Sequence, residues 1–395
     1  MRYPPSTSDL TYLLICAMLH AMILTAKVKL QPTPEQHQTL LRTLEEANAA
    51  CNDISRRAWD TKTFGQFSLH RLVYYDTRAA SPLSAQMVVR AIAKVADAYK
   101  LDKKVQRTFD PHGAFPYDDR ILSFKTQEQT VSIWTLEGRQ HMGYQCGERQ
   151  RQLLEGKRGE ADLCYVGSEF YLFVSCEVET PEPTDVQDFL GVDLGIVNLA
   201  VDSDGEIHSG EKVEEQRRKY AHRRRNLQRK KTRAAKRKLR QLSGKQRRFQ
   251  TDTNHCISKH IVQKAQDTGR GIALEDLTGI RDRVTVRRKQ RARHANWSYY
   301  QLRGFIEYKA ALAEVPVVAV NPRNTSRTCP VCGCVDKRNR PNQRTFSCVS
   351  CGYSAPADTN AAQNIRARAV VNQPNGLLAQ GSAPRRLQAP RFIGE

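Results

Sequence analysis

Residues 329–332 read CPVC, residues 348–351 read CVSC, and residues 358–365, shortly after them, read DTNAAQNI. Fifteen residues separate the two Cys-x-x-Cys pairs. The two-residue spacing lets both sulfurs of a pair reach one ion, and four thiolates suit tetrahedral Zn2+. We therefore predict a zinc ribbon that holds one structural Zn2+ and is followed by a helix. Its ligands are Cys329, Cys332, Cys348 and Cys351.

Three carboxylates stand where an apolar strand ends or a helix begins. Asp193 ends the run FLGV, Glu275 ends the run GIAL, and Asp358 opens the helix after the cysteines. Carboxylates are hard oxygen ligands, and two Mg2+ ions about 3.5 to 4 Å apart can promote in-line phosphodiester cleavage. We predict that the three acids converge at one sheet edge and hold two Mg2+ ions, or Mn2+ in their place. The alternatives are turn residues after strands, a helix cap at Asp358, and Asp276 in place of Glu275.

The positive charge is concentrated in one segment of the chain. Lysine and arginine number 63 against 41 acids, a formal net charge of +22. Residues 217–248 hold seventeen basic residues and no acid, and Leu227, Leu239 and Leu242 give them only a sparse apolar face. Such a run repels itself unless a polyanion neutralises it, so we expect it to bind nucleic acid. Residues 281–293 are also basic, and we weigh a mobile lid equally against a static backbone clamp. The candidate contacts are Arg217, Arg218, Arg223, Arg224, Arg225, Lys230, Lys231, Arg237, Arg247, Arg287, Arg288 and Arg291.

The first half of the chain changes from a strand pattern to a helix pattern and back. From Met22 the run ILTAKVKL alternates as a strand does, residues 32–36 read PTPEQ and open a helix, and helical periodicity continues toward Lys100. Residues 120–179 return to short alternating segments. Residues 181–185 contain two prolines and read as a linker. We predict a small β-barrel that is interrupted by a helical insert.

The second half is predicted to be α/β, because apolar strands alternate with helices there. The elements expected are a strand and hairpin turning at residues 202–205, a long basic helical region to about Ala265, a strand ending at Glu275, a helix over residues 297–313 and a strand over residues 315–320.

The two ends of the chain lie outside the predicted domains, and the remaining cysteines, which show no pairing pattern, favour buried thiols in a reducing compartment. The apolar residues 10–24 are too short to span a bilayer and contain His20, so residues 1–21 are predicted to be an extension. The tail over residues 373–395 is rich in Pro, Gly and Gln and is expected to be disordered. Cys334 is too close to Cys332 to complete another pair and is expected to be structural. The unpaired cysteines are Cys16, Cys51, Cys146, Cys164, Cys176 and Cys256.

The segments around the three acids resemble the motifs of a known nuclease family. GVDLGIVNLA at residues 191–200, ALEDL at residues 273–277 and DTNAAQNI at residues 358–365 look like the three motifs of a RuvC-type nuclease. Such nucleases are found in the transposon-encoded TnpB proteins and in the related compact type V CRISPR effectors. The resemblance covers residues 22–371 and is strongest from Asp185 onward.

The resemblance implies a multidomain α/β plus β architecture. An RNase H-like (RuvC) nuclease domain with a zinc-ribbon insertion would follow a wedge-like β-barrel that is interrupted by a helical recognition lobe. The segments expected are an extension (1–21), the wedge-like barrel (22–50 and 115–182), the recognition lobe (51–114), the RuvC-like domain (186–324 and 353–372), a zinc ribbon that binds target nucleic acid (325–352) and a disordered tail (373–395).

The resemblance also implies an activity and partners. It makes Asp193, Glu275 and Asp358 the Mg2+ ligands of an RNA-guided DNA endonuclease, with a guide RNA and double-stranded target DNA as partners and no membrane. A transposon of a prokaryote would encode it, and it would act in the cytoplasm at the nucleoid, cutting beside a short flanking motif. The alternatives are a type V CRISPR effector that uses a crRNA, a DNA-binding repressor and a strand-joining transposase; the oligomeric state stays open. The extension has no counterpart in the family pattern, and the helical insert is short and not especially basic.

Overall fold

The computed structural model describes residues 21–277 and 299–371. The chain divides into two compact units, one ending at Glu179 and the other beginning at Thr180. The predicted extension before residue 21, the basic segment over residues 281–293 and the predicted tail lie outside the described residues. None of the helices in the described ranges is both long enough and apolar enough to cross a membrane.

Seven antiparallel strands form the sheet of the first unit. They are β1 (Ala21–Gln31), β2 (Phe115–Tyr117), β3 (Leu122–Lys125), β4 (Thr130–Thr135), β5 (Gly138–Gln145), β6 (Lys157–Val166) and β7 (Glu169–Glu179). Their order in the sheet is β2-β6-β7-β1-β5-β4-β3. The edge strands β2 and β3 are consecutive in the chain, and Tyr117 Oη of β2 donates to the Trp134 carbonyl of β4 at 3.1 Å. The two edges therefore approach each other, and the sheet forms a nearly closed barrel, as predicted.

Three helices are inserted between β1 and β2. They are α1 (Pro34–Asp60), α2 (Gln66–Ala80) and α3 (Ala85–Leu101), and the short α4 (Glu148–Glu155) lies between β5 and β6. Thr33 caps α1 in a capping box with Gln36, which explains why the helix begins after PTPEQ. The predicted boundary between residues 50 and 51 falls inside α1. The helix continues there because buried residues recur at helical spacing across the boundary, among them Ala47, Cys51 and Ile54.

A five-stranded sheet forms the centre of the second unit. Its strands are β8 (Phe189–Asp193), β9 (Asn198–Asp202), β10 (Ile207–Ser209), β11 (Gly271–Glu275) and β12 (Val317–Val320), in the order β10-β9-β8-β11-β12. β8, β11 and β12 are parallel, whereas β9 and β10 are added as antiparallel hairpins. The predicted α/β pattern is confirmed in this unit.

The described residues of this unit also form four helices. They are α5 (Glu211–Lys230), α6 (Arg233–Asp267), α7 (Tyr299–Leu312) and α8 (Ala357–Val371). α8 lies very close to β8, because a Cβ atom at Gly191 would stand 2.1 Å from the Ala362 carbonyl oxygen. Gly191 is therefore required where the helix that carries Asp358 packs against the strand that carries Asp193.

The basic region contains two helices rather than the single helical region expected from the sequence. Lys231 adopts a left-handed backbone conformation with φ of 53°, which ends α5. Thr232 then caps α6 by accepting a hydrogen bond from Ala235 N at 3.2 Å. α5 has no buried residue, in agreement with the sparse apolar face expected there.

The cysteine-rich segment lies between β12 and α8. It contains a two-stranded sheet of β13 (Thr345–Ser347) and β14 (Ser354–Pro356), in which Thr345 pairs with Pro356. The predicted end of the ribbon at residue 352 is therefore too early. The segment includes β14, because β13 would otherwise have no partner strand.

Candidate carboxylate and zinc sites

The four predicted zinc ligands form one cluster. Their sulfur atoms all lie within 4.8 Å of one another. Cys329 Sγ is 3.6 Å from Cys351 Sγ, and Cys332 Sγ is 3.5 Å from Cys348 Sγ. A tetrahedron with Zn–S bonds of about 2.3 Å has S–S edges of about 3.8 Å. The cluster can therefore hold a Zn2+ ion, and Cys334 is not one of its four members.

Both halves of the cluster use the same backbone turn. Gly333 and Gly352 directly follow the two Cys-x-x-Cys pairs and have φ of 73° and 75°. Their N–H groups donate to the carbonyls of Cys329 and Cys348 at 3.0 and 3.1 Å. Glycine reaches this left-handed conformation without the steric cost of a Cβ atom, so each pair can fold back around one ion.

Backbone donors favour a thiolate within the cluster. The N–H groups of Cys351 and Ser350 point at Cys348 Sγ from 3.5 and 3.4 Å. These hydrogen bonds, that from Cys351 first, lower the pKa of the Cys348 thiol. A thiolate is the form that binds metal, so these hydrogen bonds favour the form of Cys348 that can act as a ligand.

The fold brings the three predicted acids toward one region. Asp193 and Glu275 are the last residues of the neighbouring parallel strands β8 and β11, and Asp358 is the second residue of α8. The carboxyl ends of parallel neighbours meet at one edge of a sheet, and α8 packs on β8. In the part of the chain that the structure describes, the carboxylate oxygens do not all come within 4.8 Å of one another.

Burial and mutual repulsion make it unfavourable for all of these carboxylates to be ionised at once. Burial raises the pKa of Asp193 to about 8, and the charges of Glu275 and Asp358 add to the effect. Burial also raises the pKa of Glu275, against a hydrogen bond from Thr325 and the positive charges of Arg368 and Arg340. Such a cluster gains stability from a bound cation. The role of the three acids as metal ligands stays a prediction.

Three side chains that the sequence analysis did not identify contact the acids. Asn198 Nδ2 donates to Asp358 Oδ2 at 2.8 Å. Thr325 Oγ1 donates to Glu275 Oε1 at 2.5 Å. The guanidinium of Arg340, which lies between the two cysteine pairs, is 3.9 Å from Asp358 Oδ1. Asn198 lies inside GVDLGIVNLA, a segment quoted for the family resemblance, and Thr325 is the first residue of the predicted ribbon, whereas no pattern in the sequence distinguishes Arg340 from the other arginines.

The alternative acid Asp276 has a different environment. Its side chain is half exposed and lies 3.6 Å from the Arg303 guanidinium. Of the acids that the structure describes, Glu275 and Asp358 are those whose charge raises the pKa of Asp193. The geometry therefore favours Glu275 over Asp276 as the second acid.

Two asparagines of α8 tie the cysteine-rich segment to the carboxylates. Asn364 is buried, and its Nδ2 donates to the carbonyls of Thr325 at 2.9 Å and Thr328 at 2.8 Å. Asn360 Nδ2 also donates to the Thr328 carbonyl, at 3.2 Å. Thr325, which holds Glu275, is therefore held in turn by the helix that carries Asp358.

The predicted nucleic-acid contacts that the structure describes lie on α5, on α6 and at the turn between these two helices. Arg217 and Arg224 are half-buried, and Arg217 is paired with Glu214 on its own helix. The exposed members of the predicted set are Arg218, Arg223, Arg225, Lys230, Lys231, Arg237 and Arg247. Arg287, Arg288 and Arg291 lie outside the described residues.

Comparisons with known proteins identify two matching segments. Residues 173–278 match the OrfB_IS605 model, described as "Probable transposase". Residues 299–365 match the model of the Cas12f1-like TNB domain. These segments include β8, β11, the cysteine cluster and the beginning of α8, and so both sites described above.

Individual relatives match over similar stretches. The CRISPR-associated endodeoxyribonuclease Cas12f1 of Sulfoacidibacillus thermotolerans is 44% identical over 128 residues, which are 32% of this chain and 29% of that protein. A TnpB-like protein of Methanocaldococcus jannaschii is 38% identical over 124 residues, or 31% of this chain and 44% of that protein. The chain thus spans less than half the length of these two curated relatives.

A solved structure extends the likeness to most of the chain. The Cas12f1 chain in a complex with sgRNA and target DNA aligns with a TM-score of 0.59 at 16% identity, over 83% of this chain and 82% of that one. The fold is thus similar to that of this Cas12f1 chain, mixed α/β with a nearly closed β-barrel and a four-cysteine cluster. The resemblance to the TnpB proteins and the compact type V CRISPR effectors is confirmed.

Proposed function

We propose that the chain is an RNA-guided DNA endonuclease, encoded by a transposon, that cuts target DNA beside a short flanking motif. The observation that carries the proposal is the convergence of Asp193, Glu275 and Asp358 on an α/β sheet directly beside a four-cysteine cluster. The names of the relatives support it, since they include an endodeoxyribonuclease and a TnpB-like protein. The fold shared with a chain solved with sgRNA and target DNA supports the two nucleic-acid partners.

The residues around the carboxylates have distinct roles in this proposal. Asp193, Glu275 and Asp358 bind two Mg2+ ions, which when bound stabilise charge on the phosphate and lower the pKa of water. Asn198 orients Asp358, and Thr325 orients Glu275, each by one hydrogen bond. The carboxylates then present fixed oxygens to hard cations.

Arg340 has a role of its own in the proposal. Its positive charge lowers the pKa of Asp193 and of Glu275 and lies beside Asp358. It therefore favours the ionised forms of Asp193 and Glu275. It also offers a guanidinium, which binds phosphate well, beside Asp358.

We also propose a domain identity for each part of the chain. The five-stranded sheet with α8 is an RNase H-like (RuvC) domain, the four-cysteine segment is a ribbon with one structural Zn2+, and the barrel with α1 to α3 is a wedge domain with a recognition lobe. The protein acts at the nucleoid of a prokaryote. A type V CRISPR effector that uses a crRNA is the second candidate, favoured by the 44% identity with a Cas12f1. A repeat array beside the gene would distinguish the two.

Co-purification of RNA tests the proposal. The protein is expressed from DNA that carries its native flanks, and the RNA bound to it is sequenced. We expect one discrete RNA from the flank of the gene, and cleavage by the complex of a plasmid that matches this guide in the presence of Mg2+. The control plasmid is identical except for mismatches next to the flanking motif, where pairing begins. Absence of a discrete RNA, or equal cutting of both plasmids, would show that the protein is not RNA-guided.

The exposed arginines of α5 are expected to contribute electrostatically to binding. Replacing Arg223 and Arg225 with glutamine should weaken duplex DNA binding and reduce the slope of log K against log salt by about 0.9 for each phosphate that the protein no longer neutralises. Binding is measured by fluorescence anisotropy at several salt concentrations. Arg151→Gln is the matched control, because Arg151 is an exposed arginine of α4 that is paired with Glu148 on its own helix, and its slope should equal that of the wild type. An unchanged slope in the double variant would exclude α5 from the DNA interface.

A further inference from the structure

A second group of metal-ligating side chains lies outside the two sites above. Glu206 and His208 belong to the turn before β10 and to β10 itself, and His260 belongs to α6. One ligand atom from each lies within 4.8 Å of the other two. His260 Nδ1 is 3.2 Å from Glu206 Oε1, and the rings of His208 and His260 meet edge to face with centroids 5.3 Å apart. The three side chains therefore face a common point.

The surrounding charges leave this group with one net negative charge. Three carboxylates, those of Asp202, Asp204 and Glu206, lie beside the cations of Lys264 and Arg270. Lys264 Nζ contacts Glu206 Oε2 at 3.1 Å, which leaves Oε1 turned toward the histidines. A carboxylate whose second oxygen is fixed by a hydrogen bond is a common arrangement for a metal ligand. Two imidazoles with such an oxygen are a donor set that suits Zn2+.

We propose that Glu206, His208 and His260 bind a transition-metal ion, Zn2+ in the first place, with water as the fourth ligand. Tetrahedral ligands about 2.0 to 2.1 Å from Zn2+ are about 3.3 to 3.4 Å apart. The Nδ1 to Oε1 distance of 3.2 Å is close to this value. The exposed His260 side chain has room to adjust its distance to His208.

The position of the group defines what the ion would do. β10 ends at Ser209, and α5 begins two residues later at Glu211. An ion bound to His208 and His260 thus joins the strand before α5 to α6, at the base of the two basic helices. The ion would clamp this base and would not take part in hydrolysis, since its ligands are distinct from the carboxylates of the proposed nuclease site.

Metal counting on the full-length protein tests the proposal. After removal of weakly bound ions by dialysis, we expect two Zn2+ per chain in the wild type, one of them in the ribbon. His260→Ala and His208→Ala should each retain one. The matched control is His222→Ala, because His222 is also an exposed histidine of this unit but belongs to no metal-ligating cluster of the described residues and is hydrogen-bonded to Asn226 in its own helix. It should retain two.

Cobalt substitution identifies which site is lost. Co2+ bound to the ribbon gives a thiolate charge-transfer band, whereas Co2+ at the histidines gives only weaker ligand-field bands. His260→Ala should lose the weaker ligand-field bands of the histidine site and keep the thiolate band together with the ribbon's own ligand-field bands. Zn2+ should raise the midpoint of thermal unfolding in the wild type more than in His260→Ala. One Zn2+ per wild-type chain, or equal counts in wild type and His260→Ala, would overturn the proposal and leave a His260–Glu206 ion pair.

Discussion

Asp193→Asn is expected to abolish DNA cleavage and at the same time to stabilise the metal-free protein. The asparagine keeps the shape of the side chain but removes one of three converging charges. Because burial and the two neighbouring acids raise the pKa of Asp193 to about 8, its ionised form is unfavourable in the folded protein without metal. The shift corresponds to a few kcal/mol, on the order of 1.4 kcal/mol per pKa unit.

The sign of the pH dependence follows from linkage. The folded pKa lies above the unfolded value, so the folded state holds a proton that the unfolded state releases, and stability from this group falls as pH rises from about 4 to about 8. The stabilisation by Asp193→Asn should therefore be small near pH 4 and largest above pH 8. In chelator at pH 8 we expect the midpoint of unfolding to rise by several degrees.

Three measurements test this expectation together. Thermal unfolding is followed in chelator across pH 4 to 9, unfolding is repeated with Mg2+, and plasmid cleavage is measured with the RNA-bound complex. Mg2+ should stabilise the wild type more than the variant. The matched control is Asp276→Asn. Asp276 follows Glu275 in the sequence and pairs with Arg303, and its replacement should leave cleavage within a few-fold of wild type. Cleavage by Asp193→Asn at the wild-type rate would refute the site, and loss of RNA binding would show that the variant is misfolded.

Replacing Cys329 and Cys348 together with serine is expected to unfold the ribbon and greatly reduce cleavage. Both sulfurs are buried, and serine cannot supply the thiolates that hold Zn2+. Structural Zn2+ in small modules contributes about 10 to 16 kcal/mol of binding free energy. The segment depends on this contribution, because its own apolar core is too small to fold it. The hydrophobic contacts beside the cysteines involve only a few side chains, chiefly Phe346 and Tyr353.

The loss should extend to the carboxylates. Thr325 and Thr328, at the beginning of the segment, are hydrogen-bonded to α8, and Thr325 holds Glu275. We expect one fewer Zn2+ per chain, rapid proteolysis within residues 329–352 and a fall in cleavage of about 100-fold or more. Cys334→Ser is the control, because Cys334 stands outside the four-sulfur cluster, and it should retain its Zn2+. Full activity in the double variant would mean that the ribbon does not position the acids.

Local patterns were sufficient to predict much of this architecture. The strands that end at Asp193 and Glu275 and the helix that carries Asp358 were recognisable because apolar runs and turn residues are local signals. The cysteine cluster followed from spacing alone. The nearly closed barrel followed from the change of periodicity on either side of the helical insert.

The features that were missed depend on contacts between distant residues. Asn198 lies 160 residues from its partner Asp358, and Thr325 lies 50 residues from Glu275. The break between α5 and α6 contains neither glycine nor proline, the residues that usually signal the end of a helix. Lys231 takes the left-handed conformation instead. β14 lies beyond residue 352, where the ribbon was predicted to end, and α1 continues through the predicted boundary between residues 50 and 51. The bounds of these elements depend on strand pairing and packing, which a local sequence pattern does not contain.

The attachment of the cysteine-rich segment also bears on how such proteins diversify. The chain leaves the sheet after Val320 and enters α8 at Ala357, and the first end of the segment is tied to α8 through the carbonyls of Thr325 and Thr328. A substitute module grafted after Thr328 would leave every strand pairing of the five-stranded sheet intact. Under the proposed function, exchange of this module would change DNA recognition while the strands that carry Asp193 and Glu275 stay as they are, provided that the new module replaces the contact of Arg340 with Asp358.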